Sequence, residues 1–150
     1  MSSEKPTAVT ITRQSGYQFL VDFGDTIPSL LADEPAPLGQ GSGPAPDHML
    51  LAAVANCLSA SLLFALQKFK QDPGALKATA TPVVGRNEAK RLRIERIDVH
   101  LELGKPAAEL EHLDRVLAQF EEFCTVSMSV RQGIAIGVQV QDGTGAVIKG

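Results

Sequence analysis

The residues from Pro46 to Lys70 constrain this chain more than any other stretch. Asp47-His48 leads into Met49-Leu50-Leu51-Ala52-Ala53-Val54-Ala55-Asn56-Cys57-Leu58-Ser59-Ala60-Ser61-Leu62-Leu63-Phe64-Ala65-Leu66, rich in helix formers and apolar on nearly every face. Such a helix must be covered all round, by lipid or by protein, and its length approaches that of a membrane span. Asn56, Ser59 and Ser61 interrupt the apolar run, and its flanks alternate like strands instead of forming topogenic loops. The expectation is therefore a central core helix ending near Lys70, with no membrane partner.

The flanks supply the sheets that would cover it. Val9 and Ile11, then Tyr17, Phe19, Val21 and Phe23, alternate with mostly polar neighbours around Gln14-Ser15-Gly16, which predicts a β-hairpin. From Ile27 to Pro46 the chain is dense in Pro and Gly, including Gly39-Gln40-Gly41-Ser42-Gly43-Pro44, and predicts an ordered loop or short strand. After Asp72-Pro73-Gly74, two runs around Gly85-Arg86-Asn87-Glu88 predict a second hairpin. Leu92 and Ile94 are out of phase with Ile97, Val99 and Leu101, so a β-bulge near Glu95-Arg96 is expected to keep both sets on the core face. Leu110, Leu113, Leu117 and Phe120 predict a helix from Pro106, a short helix follows Cys124, and Ile134, Ile136, Val138 and Val140 alternate in a last strand. Strands and helices that do not alternate regularly predict an α+β fold.

Composition narrows the functional classes. The 150 residues suit a single domain spanning 1–150. A formal charge of −3 offers no basic field for nucleic acid, and the basic residues from Arg86 to Arg96 are interleaved with Glu88 and Glu95, as on a solvated hairpin. The N-terminus lacks a basic segment followed by an apolar one, so a cytoplasmic protein is expected. In that reducing compartment two cysteines, 124 − 57 = 67 positions apart, are two free thiols or a redox-active pair rather than a structural staple.

Taken locally, each candidate residue has two readings. Cys57 is either a small apolar side chain in a core helix or a reactive thiol. Cys124 lies between two helices, where N–H groups could stabilise a thiolate. Asp47 after Pro46 suits a helix cap, and Arg13 beside a turn suits a solvated charge. His48, His100 and His112 show no ligand spacing, and the Gly39 to Gly43 stretch lacks the Gly-Lys-Ser/Thr ending of a phosphate loop. No cofactor or metal is expected.

Two segments carry a resemblance. Pro46-Asp47-His48-Met49-Leu50-Leu51-Ala52-Ala53-Val54-Ala55-Asn56-Cys57 resembles the signature of the OsmC/Ohr family, in which Pro and an acidic residue open a helix and Cys follows ten positions after the acid. Cys124-Thr125-Val126-Ser127, leading into Gly133-Ile134, is similar to the family's Cys-Pro-Val-Ser segment before its final strand. Element order agrees over nearly the whole chain. Asp47 stands where the family usually has Glu, and Thr125 where it usually has Pro.

The resemblance implies two antiparallel β-sheets around long central helices in an intertwined homodimer. It implies reduction of organic hydroperoxides, or hydrogen peroxide, at the expense of a dithiol, lipoyl-type or other. Cys57 would attack as a thiolate, giving a sulfenic acid that Cys124 resolves to a disulfide. The family's catalytic arginine corresponds to Arg13, whose guanidinium could hold the Asp47 carboxylate while pointing an N–H at sulfur or peroxide. Ten helical residues separate Asp47 from Cys57 by about 15 Å along the axis and about 80° around it. Asp47 must then reach the thiol through Arg13 or meet the Cys57 of another subunit. A family member that keeps the fold as a binding or stress-associated protein, without peroxidase activity, is the alternative.

Overall fold

A computed structural model of the chain describes residues 6–133, 137–141 and 146–149. The chain forms two compact units, Met1–Ala55 with Thr79–His100, and Asn56–Ala78 with Leu101–Gly150. Helix α1 (Pro46–Lys68) gives its first half to the first unit and its second half to the other.

In the first unit, β1 (Thr10–Ser15), β2 (Gln18–Asp22) and β3 (Leu30–Ala32) form an antiparallel sheet in that order. Gly16, at φ 52°, occupies the tight turn between β1 and β2, a backbone region that glycine enters without a Cβ penalty. The expected alternation is met on β2, where Val21 is buried and Phe19 half-buried. On β1, Ile11 stays exposed although it pairs with Val21.

The Pro- and Gly-rich segment is ordered by one side chain. Asp33, buried at the end of β3, accepts the backbone N–H groups of Glu34 (2.8 Å), Gln40 (3.1 Å) and Ser42 (3.0 Å). These donors, Ser42 foremost, outweigh the opposing effect of burial and hold the Asp33 carboxyl below its ordinary range. Gly39 packs so closely on the Glu34 carbonyl, and Gly43 on that of Leu31, that a Cβ at either would meet backbone. The glycines are thus required by close approach.

Strands β4 (Lys77–Arg86) and β5 (Leu92–Glu102) form the second expected hairpin. Its turn is closed by Asn87, whose Oδ1 accepts the Arg91 N–H (3.0 Å), with Lys90 at φ 63°. The phase change in β5 appears as a change of environment: Leu92 and Ile94 are exposed, while Ile97, Val99 and Leu101 are half-buried. The basic residues of this hairpin are exposed, as a solvated turn requires.

In the second unit, Leu58, Leu62, Ala65 and Leu66 of α1 are buried in an i, i+4, i+7, i+8 stripe, whereas Leu63 and Phe64 are exposed. Among the described residues, therefore, this half of α1 is covered on one side only. The helix stops where Lys70 turns to φ 56°, with the Gln71 N–H bonded back to the Leu66 carbonyl at 3.0 Å.

The single helix expected from Pro106 is instead broken. A 3-10 turn at Ala107–Glu109 ends on extended Leu110, and α2 (Leu113–Gln119) restarts after His112 at φ 59°. A second 3-10 turn, Phe120–Phe123, precedes α3 (Thr125–Gln132). Tertiary contacts take the groups a continuous helix would use. The Gln71 side chain accepts the Glu111 N–H (3.0 Å), and the Phe69 ring lies 4.7 Å from that of His112. The break rotates the apolar face, so Leu110, Val116 and Phe120 are buried and Leu117 is exposed. Further along, β6 (Val140–Gln141) pairs with β7 (Val147–Lys149); Ile134 and Ile136 of the expected last strand lie outside the described residues.

Candidate active site

Helical spacing places Cys57, Ser61 and Phe64 of α1 on one face, at i, i+4 and i+7. Cys124 arrives from a different element. It ends the 3-10 turn and serves as N-cap of α3 at φ −85° and ψ 95°, and its sulfur accepts the Ser127 N–H at 3.4 Å. A cysteine thus fills the role usually taken by a Ser or Asp oxygen, satisfying one of the N–H groups that the first helical turn leaves without an intrahelical partner. Thr125 starts this helix in place of the family's usual proline, and the Met128 N–H closes the first turn on the Cys124 carbonyl at 3.0 Å.

Both cysteines are free. Cys124 is fully buried and Cys57 half-buried, and each thiol is near enough to influence the protonation of the other. This approach unites residues that the sequence separates widely.

Their surroundings are unequal. Burial pushes the Cys57 thiol up, Cys124 adds to the rise, and the Val126 and Ser127 N–H groups oppose it without reversing it. Burial also acts to raise Cys124, but the Cys57 thiol, the Ser127 hydroxyl and N–H, and the Ser61 hydroxyl all favour its thiolate and bring it below the ordinary thiol value. A close thiol pair titrates as a unit.

Arg13 and Asp47 belong to the first unit. Arg13 is exposed on β1, and its Nε donates to the Gly16 carbonyl at 2.9 Å, back across its own turn. Asp47 lies in the first turn of α1, where its Oδ1 accepts the N–H of His48 at 2.9 Å. The expected Arg13–Asp47 pair is not formed within this chain; each group is engaged locally. His48 Nδ1 accepts the Ala45 N–H at 3.0 Å, reaching back over the helix start as the third residue of a capping box does. A nitrogen that accepts this bond carries no proton, so its 3.7 Å approach to Asp47 is no ion pair. A cleft of about 430 Å³ in the first unit is lined by Ser15, Gly16, Tyr17, Gln18, Pro37, Leu38, Gly39 and Gln40, and neither cysteine contributes to it.

Sequence reasoning singled out both cysteines but missed Ser61, Ser127 and Asp33. Ser127 was legible in principle, since a residue three positions after a helix cap presents its N–H to that cap. Ser61, one turn beyond Cys57, reads as a mere interruption of an apolar run. Asp33 is marked only by its place between a short apolar strand and a loop of prolines and glycines.

Fold and site together define an α+β protein with antiparallel sheets that brings a helix-borne thiol against a helix-capping one. The OsmC-like protein family model matches residues 39–139, and the chain belongs to that family. Comparison with the curated proteins gives no match. Among solved structures, the chain is similar to an organic hydroperoxide resistance protein from Elizabethkingia anophelis, with 20% identity, TM-score 0.67, and 87% of this chain and 91% of that one covered. An OsmC-like protein from Mycoplasma pneumoniae gives 16% identity and TM-score 0.69, covering 87% and 90%. The organic hydroperoxide resistance protein OhrB of Bacillus subtilis gives 16% and 0.61, covering 83% and 90%. At these identities the likeness concerns the fold.

Proposed function

We propose that the protein is a cytoplasmic thiol-dependent peroxidase that reduces organic hydroperoxides, and hydrogen peroxide less specifically, with Cys57 as attacker and Cys124 as resolver. The observation that carries the reading is the meeting of two free thiols of unequal access, Cys57 half-buried and Cys124 wholly buried. A hydroperoxide can reach only the first; only the second is sheltered enough to wait for the product.

The Cys57 sulfur attacks the terminal peroxide oxygen, an S–O bond forms, the O–O bond breaks, and the alkoxide leaves as alcohol after taking a proton. Cys124 then attacks the sulfenic sulfur, forming a disulfide and releasing water. A dithiol of the lipoyl type exchanges with that disulfide, becoming oxidised itself and restoring both thiols.

The reading includes a homodimer. Leu63 and Phe64 on α1 are exposed next to a buried stripe, and a second copy would cover them. In the dimer Arg13 and Asp47 act at the thiols, Arg13 leaving its turn carbonyl to supply positive charge and Asp47 orienting it. The rise imposed on Cys57 and the local engagement of Arg13 favour a second reading, a binding or stress-associated member without peroxidase activity.

The two are separated by cumene hydroperoxide consumption with dihydrolipoamide, comparing wild type with Cys57→Ser. The peroxidase reading expects a loss of about a hundredfold or more in the variant. Equal rates in both proteins would defeat it.

A further inference from the structure

We propose that Lys68, Phe64 and Phe123 form a clamp that holds the Cys124-bearing segment against α1, and that as positioning residues they set how readily Cys124 closes onto Cys57. The two thiols are carried very differently. Cys57 is fixed within a 23-residue helix, whose backbone leaves it little freedom. Cys124 sits at the joint between two short elements, a four-residue 3-10 turn and the eight-residue α3, with its own backbone extended at φ −85° and ψ 95°. A 3-10 turn is held by poorer hydrogen bonds than an α-helix, and here the Cys124 N–H closes it on the Glu121 carbonyl at 3.0 Å. Backbone bonding alone does not fix this joint against α1, so side chains must do so.

The side chains that reach across lie next to the joint. Phe123 directly precedes Cys124, and its ring meets that of Phe64 edge-on, with centroids 6.5 Å apart and planes at 65°. In that arrangement the positive edge of one ring faces the negative face of the other. Lys68 stands one turn beyond Phe64 and brings its Nζ to 4.8 Å from both centroids, so one ammonium bridges a ring on α1 and a ring beside the joint. Cys57, Phe64 and Lys68 share one face of α1, at i, i+7 and i+11, and the clamp therefore closes the same seam in which the thiols approach. Phe64 and Phe123 are 52% and 51% exposed, so they fill no core, and the contact across the seam is what their rings contribute.

A lysine in the last turn of α1 also complements the helix dipole, but that role acts on α1 alone and does not reach the joint. A direct effect of the ammonium on the sulfurs is small. From Cys57 to Lys68 the helix rises about 16 Å, beyond the screening length of about 8 to 10 Å in ordinary salt. Lys68 thus acts on the thiol pair through Phe123. The consequence for turnover, faster resolution of a Cys57 sulfenic acid by Cys124, rests on the peroxidase reading; the effect of the clamp on closure of the pair does not.

A disulfide equilibrium in glutathione buffers, read on the full chain by acid quench, alkylation and intact mass, tests the clamp without any peroxide. The Cys57 and Cys124 thiols give two electrons and two protons to oxidised glutathione, which becomes two molecules of reduced glutathione as the intramolecular S–S bond forms. The equilibrium constant is an effective concentration of one thiol at the other. Lys68→Gln keeps the helix propensity and removes the charge, and it should lower that constant about twofold to fivefold, with Lys68→Arg restoring it. Phe123→Leu keeps apolar bulk without the ring and should lower it about threefold to tenfold. A thermal melt confirms that each variant is folded, and Lys68→Gln carries the test should Phe123→Leu fail to fold. A lowered melting temperature in Lys68→Gln with an unmoved equilibrium constant would overturn the clamp and leave Lys68 as a partner of the helix dipole. A wild type that forms no Cys57–Cys124 disulfide would overturn it as well. With cumene hydroperoxide, Lys68→Gln should accumulate dimedone-trapped Cys57 sulfenic acid about twofold to fivefold over wild type. No increase during active turnover would overturn the part of the clamp in resolution. A wild type that closes the disulfide in glutathione yet consumes no hydroperoxide would overturn the peroxidase reading and leave the clamp standing.

Discussion

Leu66 and Leu63, one turn apart on α1, should respond differently to truncation although the sequence treats them alike. Leu66 is fully shielded and Leu63 is 36% exposed. Leu66→Ala removes three buried carbons, worth about 2 kcal/mol in transfer at roughly 0.8 kcal/mol per methylene. The cavity left behind brings the expected loss to about 3 to 5 kcal/mol. Against a typical domain stability of about 5 to 15 kcal/mol, that change is readily measured. Urea unfolding followed by far-ultraviolet circular dichroism should show it as a lowered midpoint at unchanged slope. Leu63→Ala should cost under about 1 kcal/mol in dilute protein, where its face is open to water. At high protein concentration its cost should grow, because in the proposed homodimer a second copy would cover the face. A loss for Leu63→Ala as large as that for Leu66→Ala, and independent of concentration, would refute both the one-sided burial of α1 and the docking of another subunit on its open side.

Asp33→Asn should lower the melting temperature at neutral pH, because an amide nitrogen would then face a backbone donor. The carboxyl is depressed in the fold, so its stabilisation is present above the unfolded value of about 3.9 and fades as pH falls through the lower folded value. Melting temperatures measured from neutral to strongly acidic pH should therefore converge for wild type and variant at the acid end; a constant gap would contradict this. Gln71→Ala removes the acceptor of the Glu111 N–H at a partly exposed site and should cost about 0.5 to 1 kcal/mol, read by urea unfolding. Cys124→Ser should still consume about one equivalent of hydroperoxide per site in a single turnover, yet lose dithiol-driven cycling about a hundredfold or more, as followed by peroxide assay and intact mass.

The hairpins and the long helix were legible because their signals are local. Strand alternation between Tyr17 and Phe23, the Asp72-Pro73-Gly74 punctuation and the helix formers from Met49 to Leu66 all act within a few residues. The helix predicted from Pro106 failed at Leu110 to His112 for the opposite reason. Gln71, about 40 positions earlier, takes a backbone donor that periodicity assigns to the helix. The site divides in the same way. Cys57 and Cys124 were identifiable as chemistry-bearing residues from their motifs, whereas the local engagement of Arg13 with Gly16 depends on the geometry of a turn that spacing does not specify.

From the sequence alone came a long apolar helix bearing Cys57, an α+β order of elements, a second thiol beside a helix start, and a resemblance borne out by the family match over residues 39–139. Only the tertiary structure decided that Leu63 and Phe64 of that helix stay exposed among the described residues, that Asp33 gathers the glycine-rich loop, and that Cys124 caps the last helix as a buried thiol that accepts the Ser127 N–H. Periodicity records which face a residue shares with its neighbours along the chain. Which distant group covers that face, and which backbone N–H a buried sulfur accepts, is set by packing and by the direction of donors, which a linear pattern does not encode.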